Sequence, residues 1–302
     1  MTAASGGGSS MLFLLGTGRC GSSLLHRVVA GHGATGFVSN VDELLAPLDL
    51  KGTRNPALYA RAAMLARAGL PRFGPSEAYR LLDRQVSPII SSTGRDLVAS
   101  DVTPWLEGRM RRFFARRAAA QGCGVFTHKL TGWPRVGFLR AVFPDARFVH
   151  IVRDGRAVAN SWLQMDWWAG WRGPSAWRWG PLPSDYADEW DASDRSFPLL
   201  AGLGWKMLID AFADARIAVP PEQWLELRYE DLVADPRQTV SSVLEFAGLD
   251  WTPQFEASFA GQHFSVARDE AYLRDLDLRS VGLLDASLSD HLLRLGYTPP
   301  TG

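Results

Sequence analysis

The stretch Met11–Ser23, MLFLLGTGRCGSS, decides the fold of this chain of 302 residues. Its start, Met11–Leu15, is continuously apolar, which is typical of a short strand buried on both faces of a parallel sheet. The glycine-rich loop Gly16–Gly21 follows directly. From Ser22 onward, apolar residues recur at helical spacing, at Leu24, Leu25, Val28 and Val29. The pattern therefore predicts a strand, a tight loop and a helix in immediate succession.

Further strands and helices alternate along the chain. The predicted strands are Val125–Leu130, Arg147–Val152 and Trp224–Tyr229, and the predicted helices between and after them include Val136–Val142, Arg156–Gln164, Ala201–Ala218 and Pro236–Ala247. This alternation favours an α/β fold with three layers, α/β/α, around a central parallel sheet like that of P-loop NTPases. We expect one domain over residues 11–302, with a tryptophan-rich insertion at about 162–190, after a disordered tail over residues 1–10.

Composition narrows the functional classes. The formal net charge is zero and the pI is about 7.0, so no overall basic field indicates nucleic acid or an anionic membrane as partner. Only Cys20 and Cys123 are present, which fits a reducing cytoplasm and no disulfide framework. No apolar run approaches the roughly 20 residues that a transmembrane helix needs. We therefore expect a cytoplasmic protein, and nothing in the composition indicates its oligomeric state.

The loop after the first strand has the features of an anion site. Glycines let backbone N–H groups curve around an anion at a helix N-terminus, serines cap and donate, and Arg19 offers a planar pair of donors. The spacing of Gly16 and Gly21 matches a Walker A loop, but Ser22 stands where an NTPase carries its lysine. A tight turn without a ligand is the plain alternative. The candidate donor-binding residues are Gly18, Arg19, Cys20, Gly21, Ser22 and Ser23.

Two segments together resemble a known family. Gly16–Leu25, GTGRCGSSLL, resembles the phosphosulfate loop of the sulfotransferase superfamily, in the arginine form of tyrosylprotein sulfotransferases and many bacterial enzymes. Phe148–Leu163, FVHIVRDGRAVANSWL, resembles the region that binds the 3′-phosphate of the donor. The resemblance implies 3′-phosphoadenosine 5′-phosphosulfate as donor, with no metal, and contact of Arg153 and Ser161 with the 3′-phosphate. Arginine at the carboxyl end of a parallel strand also faces the crevice where such folds bind ligands.

Other parts of the resemblance assign roles less directly. Tyr229, in the YEDL segment Tyr229–Leu232, is implied to lie near the donor nucleotide. Lys129 aligns with the lysine that contacts the sulfate-bridging oxygen in tyrosylprotein sulfotransferases, and Arg19 is a second cation for the transferred group. The glycine-rich segment that closes over the donor in cytosolic animal members has no clear copy here, and Arg279–Gly282 stands in its place.

The general base is less clearly indicated. The position equivalent to the family's glutamate is Asn40, which cannot take a proton. Asp42 and Glu43 follow closely and are the first candidates, although both also suit a helix N-terminus. His128 and Asp101 are rivals. Histidine has the better intrinsic pKa, but His128 points away from the face that carries Lys129 if both belong to one strand.

Seven tryptophans crowd the segment 162–190, between several glycines and prolines. Aromatic faces stack on sugars and flat acceptors, so Trp167, Trp168 and Trp171 are predicted to form a lid over a small-molecule or glycan acceptor. An aromatic core that pins a long loop is the alternative.

The sequence thus predicts a sulfotransferase that acts on a hydroxyl of a glycan, lipid or small molecule. The alternatives are a P-loop small-molecule kinase, with Asp154 as a Walker B carboxylate, and a non-catalytic nucleotide-binding relative.

Overall fold

A computed structural model describes residues 9–65, 73–91, 94–265 and 270–298 of the chain. At its centre the described residues form a sheet of five parallel strands in the order β2-β3-β1-β4-β5. The strands are β1 (Ser10–Gly16), β2 (Thr35–Gly36), β3 (Val125–Thr131), β4 (Arg147–Val152) and β5 (Trp224–Arg228). The predicted parallel sheet is confirmed.

Helices connect the strands and cover both faces of the sheet. They are α1 (Ser22–Ala30), α2 (Asn40–Leu44), α3 (Asn55–Leu65), α4 (Tyr79–Gln85), α5 (Pro104–Gln121), α6 (Val136–Val142), α7 (Gly155–Leu163), α8 (Ser184–Ala192), α9 (Phe197–Ile217), α10 (Tyr229–Ala234), α11 (Pro236–Ala247), α12 (Pro253–Phe259), α13 (Tyr272–Asp275) and α14 (Leu278–Arg294). The predicted bounds of β4, α6 and α11 agree with these. Helix α9 begins at Phe197 and not at Ala201, because Ser196 caps it and a proline fits its first turn.

Strand β1 lies in the middle of the sheet and separates two apolar cores. Leu12 and Leu14 pack on one face with side chains of α1 and α11. Phe13 and Leu15 pack on the other face with side chains of α5 and α6. All four side chains are at most 1% exposed. Because each such burial stabilises the fold by about 2 kcal/mol, a continuously apolar strand belongs at the centre, and the three-layer arrangement is confirmed.

A third core lies between α7, α9 and α14 and is rich in indole rings. We call Trp162, Trp168, Trp177 and Trp179 the tryptophan cluster; each is at most 9% exposed. The rings of Trp162 and Trp179 stack at 5.2 Å between centroids, and those of Trp168 and Trp177 meet edge to face at 6.1 Å. The cluster pins the irregular part of the insertion to the sheet domain, as the alternative interpretation of this segment predicts.

The predicted tail and the segment Arg279–Gly282 can be compared with the structure only in the residues that it describes. Residues 1–8 of the predicted tail lie outside the described residues, and Ser10 already belongs to β1. Arg279–Gly282 forms part of α14 and is therefore not a loop that closes over a ligand. Within the part of the chain that is described, no helix has the length and apolarity to cross a membrane.

Candidate functional site

The loop between β1 and α1 has the backbone of an anion-binding turn. Gly18, Arg19 and Gly21 have φ angles of 87°, 58° and 90°, in the left-handed region that glycine adopts most easily. The carbonyl of Gly21 accepts hydrogen bonds from the amides of Leu24 and Leu25, which starts α1. A Cβ at Gly21 would overlap the ring of Tyr229. Glycine is therefore required there by both conformation and space.

A cleft of about 560 Å³ opens at this loop, along the carboxyl ends of β1, β3 and β4. That edge is where open parallel α/β sheets bind their ligands. Its lining carries five permanent cations and one carboxylate, in a chain whose net charge is zero. The charged lining residues are Arg19, Arg27, Lys129, Arg153, Arg178 and Glu77. The excess of positive charge suits this cleft to an anionic ligand.

Lys129 joins strand β3 to the loop. Its side chain lies on the face of the sheet covered by α1, and its Nζ donates a hydrogen bond to Ser23 Oγ at 2.6 Å. Only 11% of the side chain is exposed. A lysine this buried is held in a fixed position, so its charge acts at one place in the cleft.

Glu77 is the carboxylate of the cleft. Its Oε1 lies 3.3 Å from Lys129 Nζ and accepts a hydrogen bond from Thr131 Oγ1 at 2.6 Å. The turn that carries Glu77 is held at the end of β3 because the Tyr79 hydroxyl accepts a hydrogen bond from the Thr131 amide at 3.2 Å. A carboxylate beside a buried cation, at the mouth of a cleft, has the geometry of a proton acceptor.

A second group of cations lies beside the first. Arg19 Nε donates to Ser161 Oγ, on α7, at 2.9 Å. Arg153, at the end of β4, donates from Nη1 to the Arg19 carbonyl at 3.1 Å, and its guanidinium lies 4.5 Å from the centroid of the Tyr229 ring. The structure thus brings Arg153 and Ser161, which the resemblance assigns to the 3′-phosphate, together with Arg19 and Tyr229.

Asp154 has a structural role. Its side chain caps α7 by accepting from the Arg156 amide at 2.8 Å, and it forms an ion pair with the Arg156 guanidinium at 2.6 Å. A carboxylate engaged in this way by an arginine is a poor Mg²⁺ ligand, which weakens the kinase alternative.

Asp42 and Glu43, the first candidates for the general base, are both engaged in structural contacts. Asp42 forms a capping box with Ser39 at the start of α2 and accepts a further hydrogen bond from Asn55 Nδ2 at 2.6 Å. Glu43 accepts from the Arg80 amide at 3.2 Å and from the Ser76 hydroxyl, and so anchors the turn before α4. Neither residue lines the cleft, because helix capping and packing consume both carboxylates.

The rival candidates His128 and Asp101 also lie outside the cleft lining. His128 is fully buried on the face of the sheet opposite Lys129, where its ring packs edge to face on Phe114 at 5.1 Å. The alternation of a strand therefore keeps it out of the cleft. Asp101 pairs with Arg95, which lowers its pKa to about 2.

Burial gives His128 an effect on stability instead. Desolvation, assisted by the charge of Lys129, lowers its pKa from 6.5 to about 3. The unfolded chain then binds more protons between these values, so the free energy of unfolding falls as pH drops below about 6.5, by up to about 1.4 kcal/mol per unit for this histidine. Urea unfolding at several pH values measures the slope. His128→Leu is expected to reduce it by about one proton, whereas equal slopes would contradict the assignment.

The remaining predicted site residues divide between the cleft and the cores. The side chain of Cys20 is fully buried against Gly16, so Cys20 can contact a ligand at the loop only through its backbone. Trp167 lines the cleft and is 39% exposed. Trp168 belongs to the tryptophan cluster, and Trp171 is exposed outside the cleft lining. Of the three tryptophans predicted to form a lid, the described cleft lining therefore includes Trp167.

The family of the chain follows from its sequence. The model of a protein family described as the sulfotransferase family matches residues 12–253, which include the loop, Lys129 and the second anion site. The chain belongs to the sulfotransferase family. Compared by sequence with curated proteins, this sulfotransferase has no match.

Solved structures with the same fold are also sulfotransferases. Sulfotransferase STF9 from Mycobacterium avium is 16% identical, with a TM-score of 0.63 over 97% of this chain and 78% of that one. STF1 from Mycobacterium tuberculosis is 18% identical, with a TM-score of 0.52 over 89% and 76%. The sulfotransferase domain of the Synechococcus PCC 7002 olefin synthase is 18% identical, with a TM-score of 0.50 over 93% and 94%. At such identities the likeness concerns the fold.

Sequence reasoning missed several residues of the cleft in this sulfotransferase. Glu77 lies two residues before α4, with no motif to mark it as a site residue. Arg178 and Trp179 belong to the insertion, whose path depends on the tryptophan cluster.

Proposed function

We propose that this sulfotransferase moves a sulfuryl group from 3′-phosphoadenosine 5′-phosphosulfate to a hydroxyl of a small-molecule, lipid or glycan acceptor. The position of Lys129 carries the proposal. Its Nζ lies 2.6 Å from Ser23 Oγ, at the anion-binding loop, and 3.3 Å from Glu77 Oε1. Transfer to a hydroxyl needs positive charge at the leaving oxygen and a base at the attacking oxygen, and this one contact brings both together.

The two anion sites suit the two charged ends of the donor. Loop amides, Ser23 and Lys129 would hold the 5′-phosphosulfate, and Arg19, Arg153 and Ser161 the 3′-phosphate. The cleft volume of about 560 Å³ lies within the range of about 300–1,000 Å³ that small-molecule sites occupy. The donor supplies the sulfuryl group and leaves as adenosine 3′,5′-bisphosphate, which we call the bisphosphate.

The residues of the chain then divide the work of the transfer. Glu77 accepts the proton of the acceptor hydroxyl while that oxygen forms its bond to sulfur. Lys129 donates a hydrogen bond to the oxygen that bridges sulfur and phosphorus, and so stabilises the negative charge that this oxygen gains as the S–O bond breaks. Thr131 and Tyr79 keep Glu77 in place. The products are a sulfate ester, the bisphosphate and a proton that Glu77 passes to solvent; no metal is given a role.

Transfer of label tests the proposal. The enzyme is incubated with donor labelled with ³⁵S and a library of hydroxyl compounds, and products are separated by liquid chromatography and weighed by mass spectrometry. We expect at least one acceptor to gain the mass of SO₃ together with the label, and stoichiometric bisphosphate to be released. Phosphorylated products from ATP and Mg²⁺, with no labelled ester from the sulfate donor, would establish the kinase alternative instead.

Arg153 offers a separate test of the second anion site. Arg153→Met removes a guanidinium that would bond the 3′-phosphate, so affinity for the bisphosphate should fall about 10–100-fold, as expected for a lost charge-assisted hydrogen bond. Affinity for adenosine 5′-phosphosulfate, which lacks the 3′-phosphate, should change far less. Isothermal titration calorimetry measures the affinities for both ligands. Arg147→Met, at the opposite end of the same strand, is the matched control; equal losses for both ligands would place Arg153 elsewhere in the site.

A further inference from the structure

Arg178 is a cation of the cleft that the proposed transfer does not use. Its guanidinium carbon lies 4.7 Å from the centroid of the Trp179 ring and 5.5 Å from that of Trp167. Trp179 is 4% exposed and stacks on Trp162, whose indole Nε1 donates to the Gly18 carbonyl at 3.4 Å. The guanidinium therefore contacts two indole rings of the cleft wall, and one of them, Trp179, is connected to the anion-binding loop through Trp162.

The surroundings of Arg178 leave its charge unneutralised by the protein. In the described parts of the chain no carboxylate forms an ion pair with it, and its contacts are with the two rings. The one carboxylate of the lining, Glu77, is engaged by Lys129 and Thr131. The nearby Arg135 is buried and donates to the carbonyls of Ile90 and Trp133, and its pKa is lowered by burial and further by the charge of Arg178.

A chain of contacts connects Arg178 with Glu77. The Trp179 ring packs directly on Gly132, the residue after Thr131, and Thr131 bonds Glu77. The donor's charged ends already have their cations at the loop and at Arg153. An anion at Arg178 would therefore lie next to the place where the acceptor loses its proton, with the half-exposed Trp167 ring beside it.

We propose that Arg178 binds an anionic group of the acceptor, so that the enzyme sulfates hydroxyl compounds that already carry a carboxylate, phosphate or sulfate. A guanidinium offers paired donors that match the oxygens of all three anions, and the indole rings keep it in place. Trp167 offers a flat apolar face for the body of the same molecule. The inference rests on the proposed function, because it assigns the acceptor of that reaction.

Paired probes that differ only in charge test the inference. Wild-type enzyme saturated with the bisphosphate is titrated with 4-hydroxyphenylacetate, 4-hydroxyphenyl phosphate, 4-hydroxyphenyl sulfate and the neutral 4-hydroxyphenylacetamide, with indole fluorescence and calorimetry as readouts. We expect at least one anion to bind about 10–100-fold more tightly than the amide. The anion that gains most identifies the charged group. Equal binding of anions and amide, or binding of none, overturns the proposal.

Variants assign the preference to one side chain. Arg178→Gln should abolish the preference for anions and leave affinity for the bisphosphate unchanged. Arg172→Gln is the matched control, since Arg172 also lies over an indole ring, that of Trp171, but outside the cleft lining. A loss of bisphosphate affinity in Arg178→Gln would assign Arg178 to the donor and overturn the inference. The probes are also titrated without nucleotide. If the enzyme does not bind the bisphosphate but still prefers the anionic probes, the proposed function is overturned and the anion site at Arg178 is retained.

Discussion

Lys129→Met is expected to lower kcat about 10²–10³-fold, as removal of a single preorganised donor to a developing negative charge does in other enzymes. The bridging oxygen gains charge only as the S–O bond breaks, so the lysine stabilises the transition state more than the bound donor. Affinity for the bisphosphate should therefore change less than kcat. Methionine keeps the length of the apolar stem in this buried position, which separates loss of charge from loss of packing.

The control for Lys129 is a lysine of the surface. Lys51 is 27% exposed and pairs with Asp49, away from the cleft lining. Lys51→Met should leave kcat within about threefold of wild type, as surface substitutions usually do. Initial rates of labelled ester formation, together with titration of the bisphosphate, give both quantities. Full turnover in Lys129→Met would remove Lys129 from the reaction.

Glu77→Gln is expected to lower kcat about 10²–10⁴-fold, the usual contribution of a positioned general base. The amide keeps the shape of the side chain and an oxygen that accepts from Thr131 and Lys129, but it has no affinity for a proton at neutral pH. The variant should fold normally and bind the bisphosphate at least as tightly as wild type, because a negative charge near the donor site is removed.

Glu43→Gln is the informative companion of this variant. Glu43 anchors the turn that precedes α4 from outside the cleft, so its replacement should lower stability by about 1 kcal/mol through weakened hydrogen bonds and affect kcat much less. Comparison of kcat with the urea midpoint for both variants separates chemistry from folding. A loss of kcat in Glu43→Gln as large as that in Glu77→Gln would restore the candidate that sequence spacing favours.

The elements that carry the anion sites were predictable because each has a local cause. Met11–Leu15 is apolar without interruption, and Gly18 and Gly21 occupy positions where φ is positive. β4 ends at Val152, immediately before Arg153, because an apolar β-prone run stops there. Local pattern therefore placed both anion sites at the same edge of the sheet, once the strands were assumed to be parallel.

The proposed proton acceptor, Glu77, was not predictable in the same way. Counting from the loop led to Asp42 and Glu43. The Asp42 carboxylate takes part in a capping box, and the Glu43 carboxylate accepts hydrogen bonds from the turn before α4 and from its first residues. Glu77 reaches the cleft only because α4 packs across the end of β3, a tertiary contact between the Tyr79 hydroxyl and Thr131. The spacing of residues along the sequence does not indicate that contact.

The tryptophan-rich segment shows the same limit. Its indole rings indicated either a lid or a core, and the structure shows a buried core with one further ring in the cleft lining. Trp167 lines the cleft, whereas Trp168, the next residue in the sequence, packs into the tryptophan cluster. In an irregular segment no period decides which of two neighbouring rings is buried.

Nucleotide binding tests the central claim most directly. Isothermal titration of the wild-type enzyme with the bisphosphate, and separately with ATP and Mg²⁺, compares a ligand that occupies both anion sites with one that has no 3′-phosphate. We predict that the bisphosphate binds without added metal, and at least about 100-fold more tightly than ATP with Mg²⁺, because Arg19, Arg153 and Ser161 meet a phosphate only in the former. Tighter binding of ATP with Mg²⁺, or no binding of the bisphosphate, would contradict the account.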